Sequence, residues 1–90
     1  MSHTARKKRS LLARVRRLKG QMEAIERALE AEAECAEILN QVASVRGAIS
    51  GLTAELIEDH LREHVLEATE DAARAKGAAE LMNVVRTYLK

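Results

Sequence analysis

The sequence predicts an all-α protein, and three observations carry that reading. It has no proline and only four glycines in 90 residues. Ala, Leu, Glu, Arg and Lys dominate it, and these residues lose least on entering a helix. Its apolar residues recur at steps of three and four rather than at every second position. A sheet protein would show more β-branched and aromatic residues between turn signals, whereas Tyr88 is the single aromatic residue here.

The first helix is expected over about residues 5–30. Leu11, Val15, Leu18, Met22, Ile25 and Leu29 follow a 4-3-4-3-4 spacing, which is a heptad seam along one face. Arg14, Arg16 and Arg17 lie mostly off that seam and give the first half a basic face. A turn is placed at 31–34, where the apolar phase drifts and Glu30, Glu32 and Glu34 crowd together. No Gly or Pro marks it, so propensity alone also permits one continuous helix.

The second helix is expected over about 34–66. Ile38, Val42, Val45, Ile49, Leu52 and Leu56 form its seam, and Leu39, Ala43, Ala54, Ile57 and Leu61 widen it. So broad an apolar surface needs neighbours on more than one side. A helix of some 30 residues is ~45 Å long. Gly47, Ala48, Ser50 and Gly51 permit close backbone approach at its middle. A hairpin or bundle within the chain fits this pattern, and so does a dimer with two second helices side by side. Residues 67–77 are polar and Ala-rich, with Thr69, Asp71 or Gly77 as breakers. A third, short helix over about 74–89 carries Ala78, Leu81, Met82, Val85, Tyr88 and Leu89.

The 90 residues are expected to form a single domain. Without Phe or Trp its core is small, so self-association is expected to complete it. No apolar run approaches the ~18 residues needed to cross a bilayer, and the basic start lacks the pattern of a signal peptide. Cys35 is the only cysteine and has no intrachain partner. A cytoplasmic, reducing setting follows. An enzyme is not expected: there is no nucleophile–base–orienter set and no phosphate-binding loop.

The net charge of +1 conceals an asymmetry. Residues 1–19 hold eight Lys or Arg and no acid, while residues 20–90 hold seven Lys or Arg and 14 Asp or Glu. A basic helix face inside an acidic body suits a polyanion. Arg14, Arg16, Arg17 and Lys19 are the candidates for DNA phosphate contact. No helix-turn-helix or zinc-finger signal accompanies them, so shape reading is expected to outweigh base contact. A membrane-surface helix is weakened by the lack of bulky aromatics.

Four residues have the chemistry of transition-metal ligands. His60 and His64 are four apart and share a helical face; such a pair can grip Ni, Co or Zn. Cys35 lies 25 residues before His60, or ~37 Å along a straight helix. The two cannot meet within one helix. They can meet across an antiparallel dimer, Cys35 of one chain facing His60 and His64 of the other. His3, near the amino terminus, can fold onto the same place. Glu63 is a candidate outer-shell or direct oxygen partner. One thiolate with several imidazoles suits Ni(II), Co(II) or Zn(II) better than copper(I), and protons should compete with binding.

The segments RVRRLKGQ, ECAEILNQVASVRGAISGL and VVRTYLK resemble the CsoR/RcnR family of metal-responsive repressors, and the likeness extends over essentially the whole chain. The resemblance implies a three-helix protomer, an antiparallel dimer through the long second helix and a homotetramer built as a dimer of dimers. It implies operator double-stranded DNA bound in the metal-free state and released on metal binding, freeing an exporter gene. His3, Cys35, His60 and His64 match the pattern of the nickel/cobalt branch, and Arg14 and Arg17 best match the family's DNA-contacting residues. The copper branch has a second cysteine where this chain has His64. The formaldehyde branch has an N-terminal proline where this chain has Ser2, although RVRRLKGQMEAIERALE resembles the first helix of that branch. The expected function is therefore a repressor released by Ni(II) or Co(II), with Zn(II) chemically compatible. The alternatives are a formaldehyde-responsive repressor using Cys35 and a non-regulatory helical metal-binding protein.

Overall fold

Helix fills most of the computed structural model, which describes residues 3–88, with side chains from Thr4 onward. No strand occurs among the described residues. The elements are α1 (His3–Arg6), α2 (Lys8–Glu30), α3 (Cys35–Leu61), a π-helical turn (Arg62–Leu66) and α4 (Asp71–Tyr88). The chain divides into two compact units, Lys7–Thr53 and a second containing the residues through Arg6 together with those from Ala54 on.

The expected first helix is interrupted at Lys7, whose ψ of 14° leaves the helical basin and whose side chain makes no cap. Arg6, Lys7, Lys8 and Arg9 are consecutive cations, and no acid sits in the first turn of α2. Positive charge at the positive end of a helix dipole is unfavourable, which disfavours a smooth run through this point.

The turn expected at 31–34 is present, and its geometry explains why no glycine signalled it. Glu32 adopts the left-handed conformation, with φ of 55°. The Ala33 amide donates to the Ala28 carbonyl at 2.9 Å and the Glu32 amide to the Leu29 carbonyl at 3.1 Å. These two bonds form a Schellman closure, normally made with glycine at the left-handed position. Glutamate occupies that position at a conformational cost.

In the Lys7–Thr53 unit, Ala28 and Val45 are buried. The covered side of α2 carries Leu11, Arg14, Leu18, Gln21, Ile25 and Ala28, and that of α3 carries Ile38, Gln41, Val45, Ala48 and Leu52. The heptad seam is thus split. Its other row, Val15, Met22 and Leu29, is exposed, as are Leu39, Val42 and Ile49 on α3. Arg14 sits on the covered side rather than off the seam: its Nη2 lies 3.1 Å from where a Cβ on Gly51 would stand.

In the other unit the second helix ends differently from its expected regular run to residue 66. From Arg62 the turn widens to π geometry, and the Glu67 amide donates to the Arg62 carbonyl at 2.9 Å. The helix after it starts at Asp71, three residues before the expected position. Asp71 complements the helix dipole, and Arg74 Nη2 donates to the Ala68 carbonyl at 3.0 Å, fixing the turn. Gly77 is no breaker. It is buried inside α4, where an added Cβ would overlap the His64 carbonyl oxygen. Its missing side chain lets α4 lie directly on the π turn.

Candidate metal centre

His60 occupies the last turn of α3 and His64 the π turn. Their ring centroids are 4.7 Å apart with planes inclined at 43°. The pair singled out from its spacing therefore remains together even though the helix changes pitch between its members.

His60 is fixed from outside the pair. Its Nε2 lies 3.1 Å from the Gly77 carbonyl oxygen and 3.6 Å from Glu80 Oε1. A carbonyl only accepts, so Nε2 carries a proton in this arrangement. The lone pair of the neutral ring then lies on Nδ1. Imidazoles that bind metals are commonly oriented by an N–H donated to a carbonyl or carboxylate from the other nitrogen. Beside His60, Asp59 is buried and accepts from Arg62 Nη1 at 3.2 Å, while Arg62 Nη2 donates to Glu58 at 3.1 Å. These bonds pin the end of α3 from which His60 projects.

The donor chemistry of the pair fits a borderline transition metal, and two imidazoles supply half of a tetrahedral set. Among the described residues, no group of three His, Cys, Asp or Glu side chains gathers to hold an ion. Cys35 begins α3, is exposed and forms no disulfide. The helix is unbroken from Cys35 to Leu61, so the thiol and His60 stand near opposite ends of it. The His3 side chain, and Met1 and Ser2, lie outside the described residues. Glu63 faces an arginine: its Oε2 accepts from Arg6 Nη2 at 3.1 Å.

Sequence reasoning missed Gly77, Glu80 and Arg6 as partners of this region. A glycine within an Ala-rich helical stretch was the one available signal for Gly77. Nothing local flags Glu80 or Arg6, because their roles arise from contacts with residues 20 and 57 positions away.

The basic face belongs to the other unit. Arg16, Arg17 and Lys19 are exposed, whereas Arg14 is half-buried. Arg14 and Arg17 line a cleft with Leu18, Gln21 and Ala48. Exposed guanidinium and ammonium groups on a regular helix can contact phosphates at successive turns. No helix among the described residues is long and apolar enough to cross a membrane.

The model of a family described as metal-sensitive transcriptional repressors matches residues 7–87. An uncharacterized protein in the bioA 5' region of Serratia marcescens is 53% identical over 93 residues, with all of both chains covered. The transcriptional repressor RcnR of Salmonella typhimurium is 39% identical over 90 residues, again with 100% of both chains covered. Among solved structures, a glutamate-to-histidine variant of the formaldehyde-responsive regulator FrmR from Salmonella enterica serovar Typhimurium matches with a TM-score of 0.85. That likeness has 45% sequence identity and covers 96% of this chain and 98% of the other. With a helical fold, a basic helix face and a paired-histidine turn in view, the chain belongs to the CsoR/RcnR family of metal-sensitive transcriptional repressors, which are regulators rather than enzymes.

Proposed function

We propose that this repressor is cytoplasmic, binds operator DNA in its metal-free state and is released by Ni(II) or Co(II), relieving repression of a metal-efflux gene. The observation that carries the reading is the His60–His64 pair, 4.7 Å between rings, with His60 Nε2 committed to the Gly77 carbonyl. The ligand set is His3, Cys35, His60 and His64. The bound ion supplies a point of convergence for these donors; the chain supplies their orientation. Cys35 reaches the histidines from a second copy, because a single helix holds it away from them. The exposed row Leu39, Val42 and Ile49 supports pairing of α3 with α3, in a dimer that doubles to a tetramer. Arg16, Arg17 and Lys19, with Arg14 at the cleft, contact the duplex. The switch is a coupling free energy between the metal and DNA sites. The match to a family of metal-sensitive transcriptional repressors supports a metal effector.

A second reading has its own support. Cys35 is exposed, and the structural relative is a variant of a formaldehyde-responsive regulator. In that reading the thiol is the reactive centre and the histidines are structural.

Fluorescence anisotropy on DNA from the gene's own upstream region separates the two. The metal-free protein is titrated first, then again with Ni(II), Co(II), Zn(II), Cu(I) and formaldehyde. The proposal expects Ni(II) or Co(II) to weaken binding at least tenfold, about 1.4 kcal/mol, and His64→Ala to abolish that response while keeping metal-free DNA affinity. Release by formaldehyde alone transfers the function to Cys35.

A further inference from the structure

We propose that Arg6 and Glu63 form a latch that seats the N-terminal arm on the histidine turn before any metal arrives, making Glu63 a positioning residue rather than a ligand. The contact is 3.1 Å between Arg6 Nη2 and Glu63 Oε2, a charge-assisted bond. The two ends differ in environment. The Arg6 side chain is 54% exposed and that of Glu63 only 17%. The carboxylate is thus part of the folded turn, and the guanidinium comes to it from the arm.

The arm needs such a tether. Its helix, α1, has four residues and is separated from α2 by the break at Lys7. Helices shorter than roughly 12 residues are marginal in water, so tertiary contacts must hold this one. Consistent with that, the residues through Arg6 cluster with those from Ala54 on. Residues 1–19 contain no acid, so the arm has no local carboxylate with which Arg6 can pair. Glu63 sits between Arg62, which is bonded to Glu58 and Asp59, and His64, whose backbone is packed against Gly77. It is therefore a fixed anchor. His3 starts the same helical turn that Arg6 ends. Seating that turn beside His64 orders the arm in advance, and a site whose competent state is already populated binds more tightly by that fraction.

The consequence for metal rests on the ligand set proposed above, but the latch itself is testable without metal. In the metal-free full chain, hydrogen exchange of the amides at residues 4–8 should quicken roughly two- to fivefold in Glu63→Gln and in Arg6→Gln, the range expected for one partly exposed ion pair. The charge-swapped double variant Arg6→Glu, Glu63→Arg should restore protection. Raising the salt should quicken exchange in the parent chain and leave Glu63→Gln unchanged. Single variants that exchange like the parent overturn the latch, whatever the protein senses. Ni(II) titrated by competition with a chelator then tests the coupling: both single variants should lose the same two- to fivefold in affinity, and the swap should recover it. A loss in Glu63→Gln that Arg6→Gln does not share, and that the swap does not recover, makes Glu63 a ligand and overturns its role as a positioning residue. A parent chain that binds no Ni(II) or Co(II) refutes the metal reading and leaves the exchange result to decide the latch.

Discussion

The two units of this chain use the same building material in opposite ways. In Lys7–Thr53, long regular stretches of α2 and α3 repeat apolar residues with heptad spacing, and only one row of each is covered. In the unit containing Ala54–Tyr88, regularity is broken within a few residues: a π turn, a glycine at a helix crossing and a buried aspartate beside a histidine. Regular helix makes surface that can be shared. Broken helix aims particular side chains, which is why π turns recur at functional sites. The regular unit carries the basic face and the exposed apolar rows of α2 and α3, and the irregular one carries the histidine pair together with exposed apolar residues of its own, Leu66, Met82 and Val84 among them.

The largest expected effect breaks the regular unit. Leu39, Val42 and Ile49 are exposed on one side of α3, and pairing with a second copy would bury each of them twice by symmetry. Burial of such a side chain contributes about 1.5–3 kcal/mol. Val42→Glu should therefore weaken self-association roughly 100-fold or more, read by sedimentation velocity at micromolar protein. Because Cys35 would come from the second copy, the same variant should weaken Ni(II) binding. An unchanged oligomer would show that this row is not the interface.

A smaller effect tests the irregular unit. In the interior of an ordinary helix, replacing glycine by alanine stabilises by roughly 1 kcal/mol. At Gly77 the added Cβ would meet the His64 carbonyl oxygen, the His64 carbonyl carbon and the His64 Cβ, the latter two at 2.9 Å. Two of those three atoms are backbone and cannot turn aside. Gly77→Ala should instead destabilise by about 1–3 kcal/mol, lowering the melting temperature by roughly 4–8 °C per kcal/mol for a chain of this size. It should also disturb the His60 bond to the Gly77 carbonyl and so reduce metal affinity. A variant that melts higher than the parent would contradict the close crossing.

The same contrast explains what could be read from the residues alone. The helices were legible because propensity and apolar spacing agree over long stretches, and the histidine pair was legible because i,i+4 neighbours meet on any helix. The break at Lys7 was not: it arises from clustered cations at a helix start, a conflict that apolar periodicity does not register. The π turn was also hidden: no local residue pattern marks it, and the contact that accompanies it, Gly77 of α4 against His64, is tertiary. Gly77 stands beside Thr69 and Asp71 as one of three possible breakers in the sequence, since composition cannot tell a glycine that ends a helix from one that admits a neighbour. Arg14 was assigned to the basic face, yet it lies over Gly51; a long side chain on the boundary of an apolar seam can fold to either side. The proposed ligand set exceeds what one chain brings together among its described residues, so spacing within the sequence could suggest it only through the geometry of a second copy.

The smallest expected effect sharpens the comparison by reversing the glycine test. The regular unit needs a left-handed residue at its hairpin and places Glu32 there, with φ of 55°. The closure bonds from Ala33 and Glu32 to the carbonyls of Ala28 and Leu29 are made regardless. An L-residue with a Cβ costs about 1–2 kcal/mol in that conformation, and glycine is spared it. The unfolded chain gains freedom with glycine, which offsets part of that advantage. Glu32→Gly should thus stabilise by about 0.5–1 kcal/mol, a rise of a few degrees in melting temperature. Exposure of Glu32 keeps other contacts out of the comparison. A loss of stability would mean that the turn does not hold the left-handed closure, and that α2 and α3 are joined in the way the sequence also permitted, as one longer helix.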